Sequence, residues 1–468
     1  MKPCQGAGGM TPGANLEAPP RDLLSGSRSE ETERATWARL ACGLSTQYDP
    51  DSLQCAMDQS RIACTEPPGP SAPSVPPPST PRQDSPPRVN PTHTVTPTLP
   101  AAFVPRPPLS YASRQADVTL ADGDTEALRA ALAAATPGQI IELAASVTWT
   151  GYFVLPNRSA VPVGDDAWVV IRSSEWQQLP AGRVGPEHAP LMPRLAAHDS
   201  RAVLKTELGA HSFYLLGIEL TVDEAFDSKH YGLVELGSHD GAYGWGDQDN
   251  KLTDLADVVH HITLDRCYIH GHPESQVRVG VEMNGAYQAV LNSHIAEFHE
   301  AGADSQAING WTGPGPLLIE NNYLEGAGEN IIFGGADPVV PDLVPSDIIV
   351  RDNLLQKQLS WKWRTYPTKW VVKNLFELKS ARRVLIDNNT FVNNWYQDQV
   401  GFAILFTPKN QNGGAPWTAV EDVTFVNNIV SNVASGVRTL AVERPRTRDG
   451  CCVRLQLTRS DSCVVRCL

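Results

Sequence analysis

The chain has 468 residues, enough for one large domain or two ordinary ones. Its 38 Lys and Arg against 52 Asp and Glu leave a formal charge of −14, which argues against a general grip on nucleic acid or an anionic membrane, because both attract basic surfaces. No stretch approaches the roughly 20 apolar residues needed to cross a bilayer, and the opening Met1-Lys2-Pro3-Cys4-Gln5-Gly6 lacks the apolar core of a secretory leader.

Residues 1–66 read as a poorly ordered segment, with Glu33 to Leu44 as the one place for a short helix. Residues 67–117 read as a Pro/Ser/Thr-rich linker. Between Pro67 and Pro108 lie 16 of the 38 prolines, and such a stretch holds too little apolar material to offset its ordering entropy. Regular structure is predicted from Val118. Asp124 suits an N-cap, Thr125 to Ala135 an Ala/Leu-rich helix, and Thr136-Pro137-Gly138 its stop. The strand Gln139 to Leu143 follows at once. One short helix before a long series of strands is what the capped end of a solenoid requires, because the first coil has an open edge.

A block then recurs, with apolar residues at alternating positions, a small polar residue, and another apolar residue two places on. It reads LLIENNYL at 317–324, IIVRDNLL at 348–355, VLIDNNTF at 384–391 and VTFVNNIV at 423–430. Weaker copies stand at 213–220, 262–269 and 288–295. Alignment puts Ile218, Cys267, Ser293, Asn322, Asn353, Asn389 and Asn428 in one column. The period of a few tens of residues is that of a solenoid, and the unequal spacing predicts a different loop length in each coil. A second strand precedes most copies, so a coil holds at least two strands and a bend. At that bend Asn tolerates positive φ, its amide bonds nearby backbone, and stacked amides bond one another as a ladder.

The blocks at 305–338, 343–353, 373–395 and 401–430, with the cap-like stretch 124–157, resemble the right-handed β-helix proteins of the pectin-lyase-like superfamily, within a bacterial group. The likeness spans 118–437. It implies an all-β, single-stranded right-handed parallel β-helix, a polysaccharide as partner, and an extracellular or cell-surface location. The chain is expected to work as a monomer. After 437 the strand-and-Asn pattern stops. The tail, 438–468, is rich in Arg and holds Cys451, Cys452, Cys463 and Cys467. It reads as atypical, as a truncated or frame-shifted end would.

Proteins of this superfamily bind glycans in a groove beside one sheet, and many are lyases or hydrolases. Lyase action on an acidic glycan needs a base for the proton α to a uronate carboxylate and a cation to neutralise that carboxylate. Lys362 and Arg364 are the candidate cations, flanked by Trp361 and Trp363 for stacking on sugars; Lys373 and Lys379 are further ones. Hydrolysis needs two carboxyl groups roughly 5–10 Å apart. Glu325 and Glu329, flanking Gly326-Ala327-Gly328, are the candidate pair, because Glu282 and Glu377 would stand three coils apart. Asn309, Trp311, Asn330, Trp361 and Lys379 are expected to line a sugar site. Asp247 and Asp249, in an acidic loop, offer hard oxygen ligands for Ca²⁺. His260, His261, His270 and His272 read better as turn residues than as metal ligands. The leading expectation is β-elimination. Its rivals are a non-catalytic β-helix that uses its long sheet as a recognition face, and glycosidic hydrolysis.

Overall fold

The computed structural model describes residues 97–107, 109–225, 229–238 and 251–439, together with the backbone of the short strands Leu455–Leu457 and Val465–Cys467. From the strand Ile140–Leu143 onward the chain winds through three sheets in rotation, and each strand pairs in parallel with the strand one coil away; the strand Val118–Leu120 precedes it in the first sheet. The first sheet has eleven strands, the second ten and the third nine. The fold is the right-handed parallel β-helix expected, with three strands per coil. No described helix is long and apolar enough to cross a membrane.

Alternation with period two fills the interior. In the third sheet Val281 and Met283 point inward around the outward Glu282, and Ile308, Ile331, Phe376 and Ile404 continue the inner column in the following coils. The first coil is covered by the helix Thr125–Ala133. Asp124 caps it by accepting hydrogen bonds from the backbone N–H of Glu126 and Ala127 at 2.9 and 3.1 Å. Leu128 and Leu132 are the helix residues that reach the core.

The corner between the first and second sheets is two residues long in the central coils, and it divides the roles that the sequence assigned to one Asn. The left-handed residue is the one before the column: Gly217, Arg266, Asn292, Asn321, Asp352, Asn388 and Asn427 have φ between 52° and 68°. The column residue itself turns inward and is buried. Asn322 donates from its backbone N–H to Asn353 Oδ1 at 2.8 Å and from Nδ2 to the same oxygen at 3.0 Å. Asn353 repeats both bonds onto Asn389, and Asn389 onto Asn428. Each of the four Nδ2 groups also donates to a carbonyl of the preceding coil, those of Val290, Ile319, Val350 and Ile386. Ser293 continues the file by donating its N–H to Asn322 Oδ1, and Cys267 donates its N–H to Ser293 Oγ. Burial pushes the Cys267 thiol up to about 12, so it acts as a small apolar residue there.

Two boundaries differ from the sequence reading. Residues 97–107, within the expected linker, lie against the outer face of the first sheet. Thr98 donates its N–H to Asp422 and Arg106 pairs with Glu320 at 2.5 Å. In the tail, Leu455–Leu457 and Val465–Cys467 pair in parallel onto the last strands of the first and second sheets. Strand winding therefore continues past 437, because short runs of the β-branched and apolar residues that strands favour persist there.

Candidate functional site: the outer face of the third sheet

Outward positions of the third sheet form two files that run along the helix axis. One reads Gly232, Val279, Gln306, Glu329, Asn374 in consecutive coils; the other reads Glu235, Glu282, Asn309, Ile332, Glu377, Leu405. Register confirms that Glu282 and Glu377 are three coil steps apart, about 14 Å at the usual interstrand spacing, too far to act as one pair.

Charge is concentrated around Glu329. Lys373 Nζ lies 2.8 Å from Glu329 Oε1 and 2.6 Å from Asp304 Oδ2, while Gln306 donates to Glu329 Oε2 at 2.8 Å. Burial opposes the charge on Glu329, but the ammonium groups of Lys373 and Lys379 outweigh it and hold the carboxyl below its ordinary range. Burial also opposes the charge of Lys373, and its two carboxylates prevail, keeping it protonated well above its ordinary value. Lys373 is thus a fixed cation and not a base.

Glu377 differs. Burial, reinforced by the nearby negative charge of Glu329, raises its carboxyl to about 7. Lys379 Nζ stands 3.8 Å from Glu377 Oε1, the loosest ion pair of the group, and keeps some exposure to solvent. Three coils back, burial raises Glu282 to about 8, which favours its neutral acid form near neutral pH. Glu282 Oε1, Glu377 Oε2, Asn374 Oδ1 and both amide atoms of Asn309 are buried and have no hydrogen-bond partner. Each such atom costs about 1–3 kcal/mol when left unpaired. Four residues carrying such atoms lie along this one face, and each such group calls for a water, an ion or a functional role.

The expected site residues divide. Asn309, Glu329, Lys373 and Lys379 lie on this face, together with Glu282 and Glu377. Trp311 is held beside it by its N–H, which donates to Asn284 Oδ1 at 2.8 Å. Glu325 is not paired with Glu329. The Gly326-Ala327-Gly328 corner sends it onto the second sheet, where it is 2 % exposed. There it accepts from the Tyr323 hydroxyl at 2.6 Å and shares the Gln358 amide with Glu297, at 2.5 and 2.6 Å. Burial raises Glu325 to about 7. Burial also opposes charge on Glu297, but hydrogen bonds from His299 and Gln358 bring it below the ordinary range.

Asn330 also belongs to the corner, donating to the carbonyls of Leu324 and Gln356 at 2.7 Å each. It is a structural residue and not a sugar contact. Trp361 is buried against Ala327, Trp370, Val372 and Trp395, which removes it as a stacking platform. Its neighbours point out of the loop: Lys362 lies over the exposed Trp363 ring, and Arg364 is engaged by Glu274 at 2.9 Å and by the Trp370 face. Asp247 and Asp249 fall outside the described residues. Among the described residues no group of three or more His, Cys, Asp or Glu is arranged to hold a metal ion. His270 bonds Glu219 at 3.0 Å, and His260 meets His261 at 2.8 Å.

Sequence reasoning missed Lys357 altogether. Its ammonium is wholly buried and donates to the carbonyls of Gly326, Ala327 and Gly328 and to Asn330 Oδ1, at 2.7 to 3.2 Å. It adds to the backbone bonds that Lys373 and Asn374 make to the Ala327 and Gly328 carbonyls, and so ties the corner together. Asp304 and Gln306 were missed because their contacts are made only between coils.

No known family profile matches the chain, and no curated protein matches it in sequence. Solved structures to which it is similar include an alginate lyase from Paenibacillus sp. str. FPU-7, at 15 % identity over 69 % of this chain and 94 % of that one, with a TM-score of 0.34. The pectate lyase Pel9A matches at 14 % identity over 66 % and 71 %, with a TM-score of 0.36. A mannuronic acid-specific polysaccharide family 6 lyase from human gut microbiota matches at 15 % over 71 % and 68 %, with a TM-score of 0.38. At these scores the β-helix assignment stands on the strand order of this chain itself.

Proposed function

We propose that the protein is an exported carbohydrate-active β-helix protein whose glycan lies along the outer face of the third sheet, parallel to the helix axis. The observation that carries this reading is the run of buried, unpartnered polar atoms on Glu282, Asn309, Asn374 and Glu377. A polyhydroxylated chain supplies donors and acceptors in alternation, and Lys379 and Glu377, which keep some exposure beside the buried Glu282 and Asn309, are the groups it can meet.

The reaction this face supports best is β-elimination on a uronate-containing glycan. Glu377, poised near neutrality, takes the proton α to the uronate carboxylate, and Lys379 neutralises that carboxylate. The electron pair of the broken C–H bond becomes the new double bond as the glycosidic C–O bond on the adjacent carbon breaks. The departing oxygen takes a proton from water, and Glu377 returns the abstracted proton to solvent. Lys362 and Arg364, the first-named cations, have no part in this version, since their contacts are with Trp363, Glu274 and Trp370.

A hydrolytic reading rests on a different observation: Glu297 and Glu325 share one amide nitrogen, and their carboxyls are shifted in opposite directions, Glu297 down and Glu325 up. Incubating the full chain with uronate-containing and neutral glycans separates the readings. Elimination yields ultraviolet-absorbing unsaturated ends that Glu377→Gln abolishes. Hydrolysis yields reducing ends without absorbance, lost in Glu325→Gln. A binder retards glycan in an affinity gel and yields neither product. Absence of both retardation and products across the panel rejects the proposal.

A further inference from the structure

The outer face of the first sheet carries a feature that the glycan reading leaves unused. Residues 97–107, Pro-Thr-Leu-Pro-Ala-Ala-Phe-Val-Pro-Arg-Pro, cross the coils along the helix axis instead of following a strand. Thr98 donates its N–H to Asp422 Oδ1 at 3.1 Å, and Ala101 donates to Asp347 Oδ1 at 2.8 Å. Val104 packs among Ala289, Leu291, Leu318 and Ile349. Arg106 Nη2 reaches Glu320 Oε1 at 2.5 Å.

The contacts repeat every three residues, at 98, 101 and 104, and the buried prolines Pro97 and Pro100 share that period. Three residues is one turn of polyproline II, a conformation favoured here because Pro fixes its own φ and keeps the preceding residue extended. Asp347 and Asp422 occupy equivalent left-handed positions, φ 58° and 54°, two coils apart in the first sheet. Two coil steps span about 9.6 Å. One polyproline turn spans about 9.3 Å. The two repeats are commensurate. Between the two aspartates, Arg383 forms a two-pronged ion pair with Asp347 at 2.7 Å on each prong, which fixes the acceptor in place.

We propose that the outer face of the first sheet is a docking track for an extended proline-rich peptide, occupied here by residues 97–107 of the same chain. Recognition combines backbone N–H groups bonded to aspartates every second coil, an apolar bed under the third contact, and a carboxylate for a basic residue at the end. The bound form loses little entropy on docking, because the prolines preset its backbone.

The test uses the full chain carrying Val104→Asp and Arg106→Glu, which set a charge on the apolar bed and a like charge against Glu320. Amide hydrogen exchange at Thr98 and Ala101 is expected to rise by about 100-fold or more over the parent, while the Asn322 and Asn353 amides keep their protection. A fluorescent peptide of sequence PTLPAAFVPRP is expected to bind the released variant and to ignore the parent, whose track is filled. A scrambled peptide is expected to bind neither. If the released variant keeps its ladder protection and the peptide fails to bind, the proposal is overturned. It is equally overturned if Thr98 and Ala101 exchange at free-chain rates in the parent. Should the double variant fail to fold, Thr98→Pro with Ala101→Pro removes the two donors while keeping an extended backbone, and the same two outcomes decide.

Discussion

Two asparagines, Asn322 and Asn309, are both fully buried, and they show opposite economies of hydrogen bonding. Asn322 sits in the corner file, where its amide and backbone meet Asn353, Val290 and the N–H of Ser293. Asn309 sits one coil from Glu282 on the third sheet with neither amide atom paired. The first builds the fold, since a stacked amide closes backbone groups that the bend leaves open. The second is a cost to the fold, which a glycan would offset in the function proposed above. One residue type, equally hidden, therefore separates the structural seam from the working face.

That contrast breaks most visibly at the seam. Asn353→Ala leaves buried groups of Ile319, Asn322 and Asn389 without partners, and is expected to destabilise the protein by about 3 kcal/mol or more, read from the denaturation midpoint. Next comes the corner staple. Lys357→Met keeps the volume but takes a donor from the Gly326 carbonyl and from Asn330 Oδ1, while the Ala327 and Gly328 carbonyls keep the backbone N–H groups of Lys373 and Asn374; a loss of about 1–2 kcal/mol is expected by the same measurement. On the working face the signs reverse. Asn309→Leu is expected to hold or raise stability, by up to about 1 kcal/mol, while glycan retardation in an affinity gel weakens at least tenfold. A clear destabilisation with unchanged retardation would return Asn309 to a structural role.

A separate test is in pH dependence. Glu282 is raised to about 8 in the folded state, against about 4.3 in an unfolded chain. The folded state therefore binds the extra proton. Its contribution is complete below about pH 4 and is lost as the pH climbs to about 8. Glu282→Gln is expected to flatten this part of the stability profile between pH 5 and 8, measured by thermal melts across that range. An unchanged slope would show that the acid is already ionised in the native state.

The seam was legible because its signal is local. Apolar alternation followed by Asn-Asn, or by Asp-Asn at 352–353, repeats in four copies, and register follows from matching them. The division between the left-handed residue and the inward one was not legible, since both positions are Asn in the clearest copies. The working face was half legible. Asn309, Glu329 and Lys379 lie in or beside strands, whereas the Lys373–Asp304 ion pair joins residues 69 apart through corners of unequal length. Pairing Glu325 with Glu329 failed for a related reason: the glycine corner between them turns the chain from one sheet to the next, so closeness in sequence becomes separation on two faces. Lys357 has no counterpart in the repeats, and nothing in its neighbourhood marks it as a staple.

The two-residue corner has one more consequence. From the corner Gly217-Ile218 to the corner Asn427-Asn428 coils differ in length, yet all the surplus falls at the other two corners, as in the segments between Gln356 and Asn374 and between Phe406 and Val420. The molecule behaves like a bound book with leaves of different widths: the spine tolerates no extra stitch, whereas any leaf can be widened at its free margins. Grafted sequence should accordingly be accepted at those margins without disturbing the pagination of the strands, and a single residue added at the spine should not.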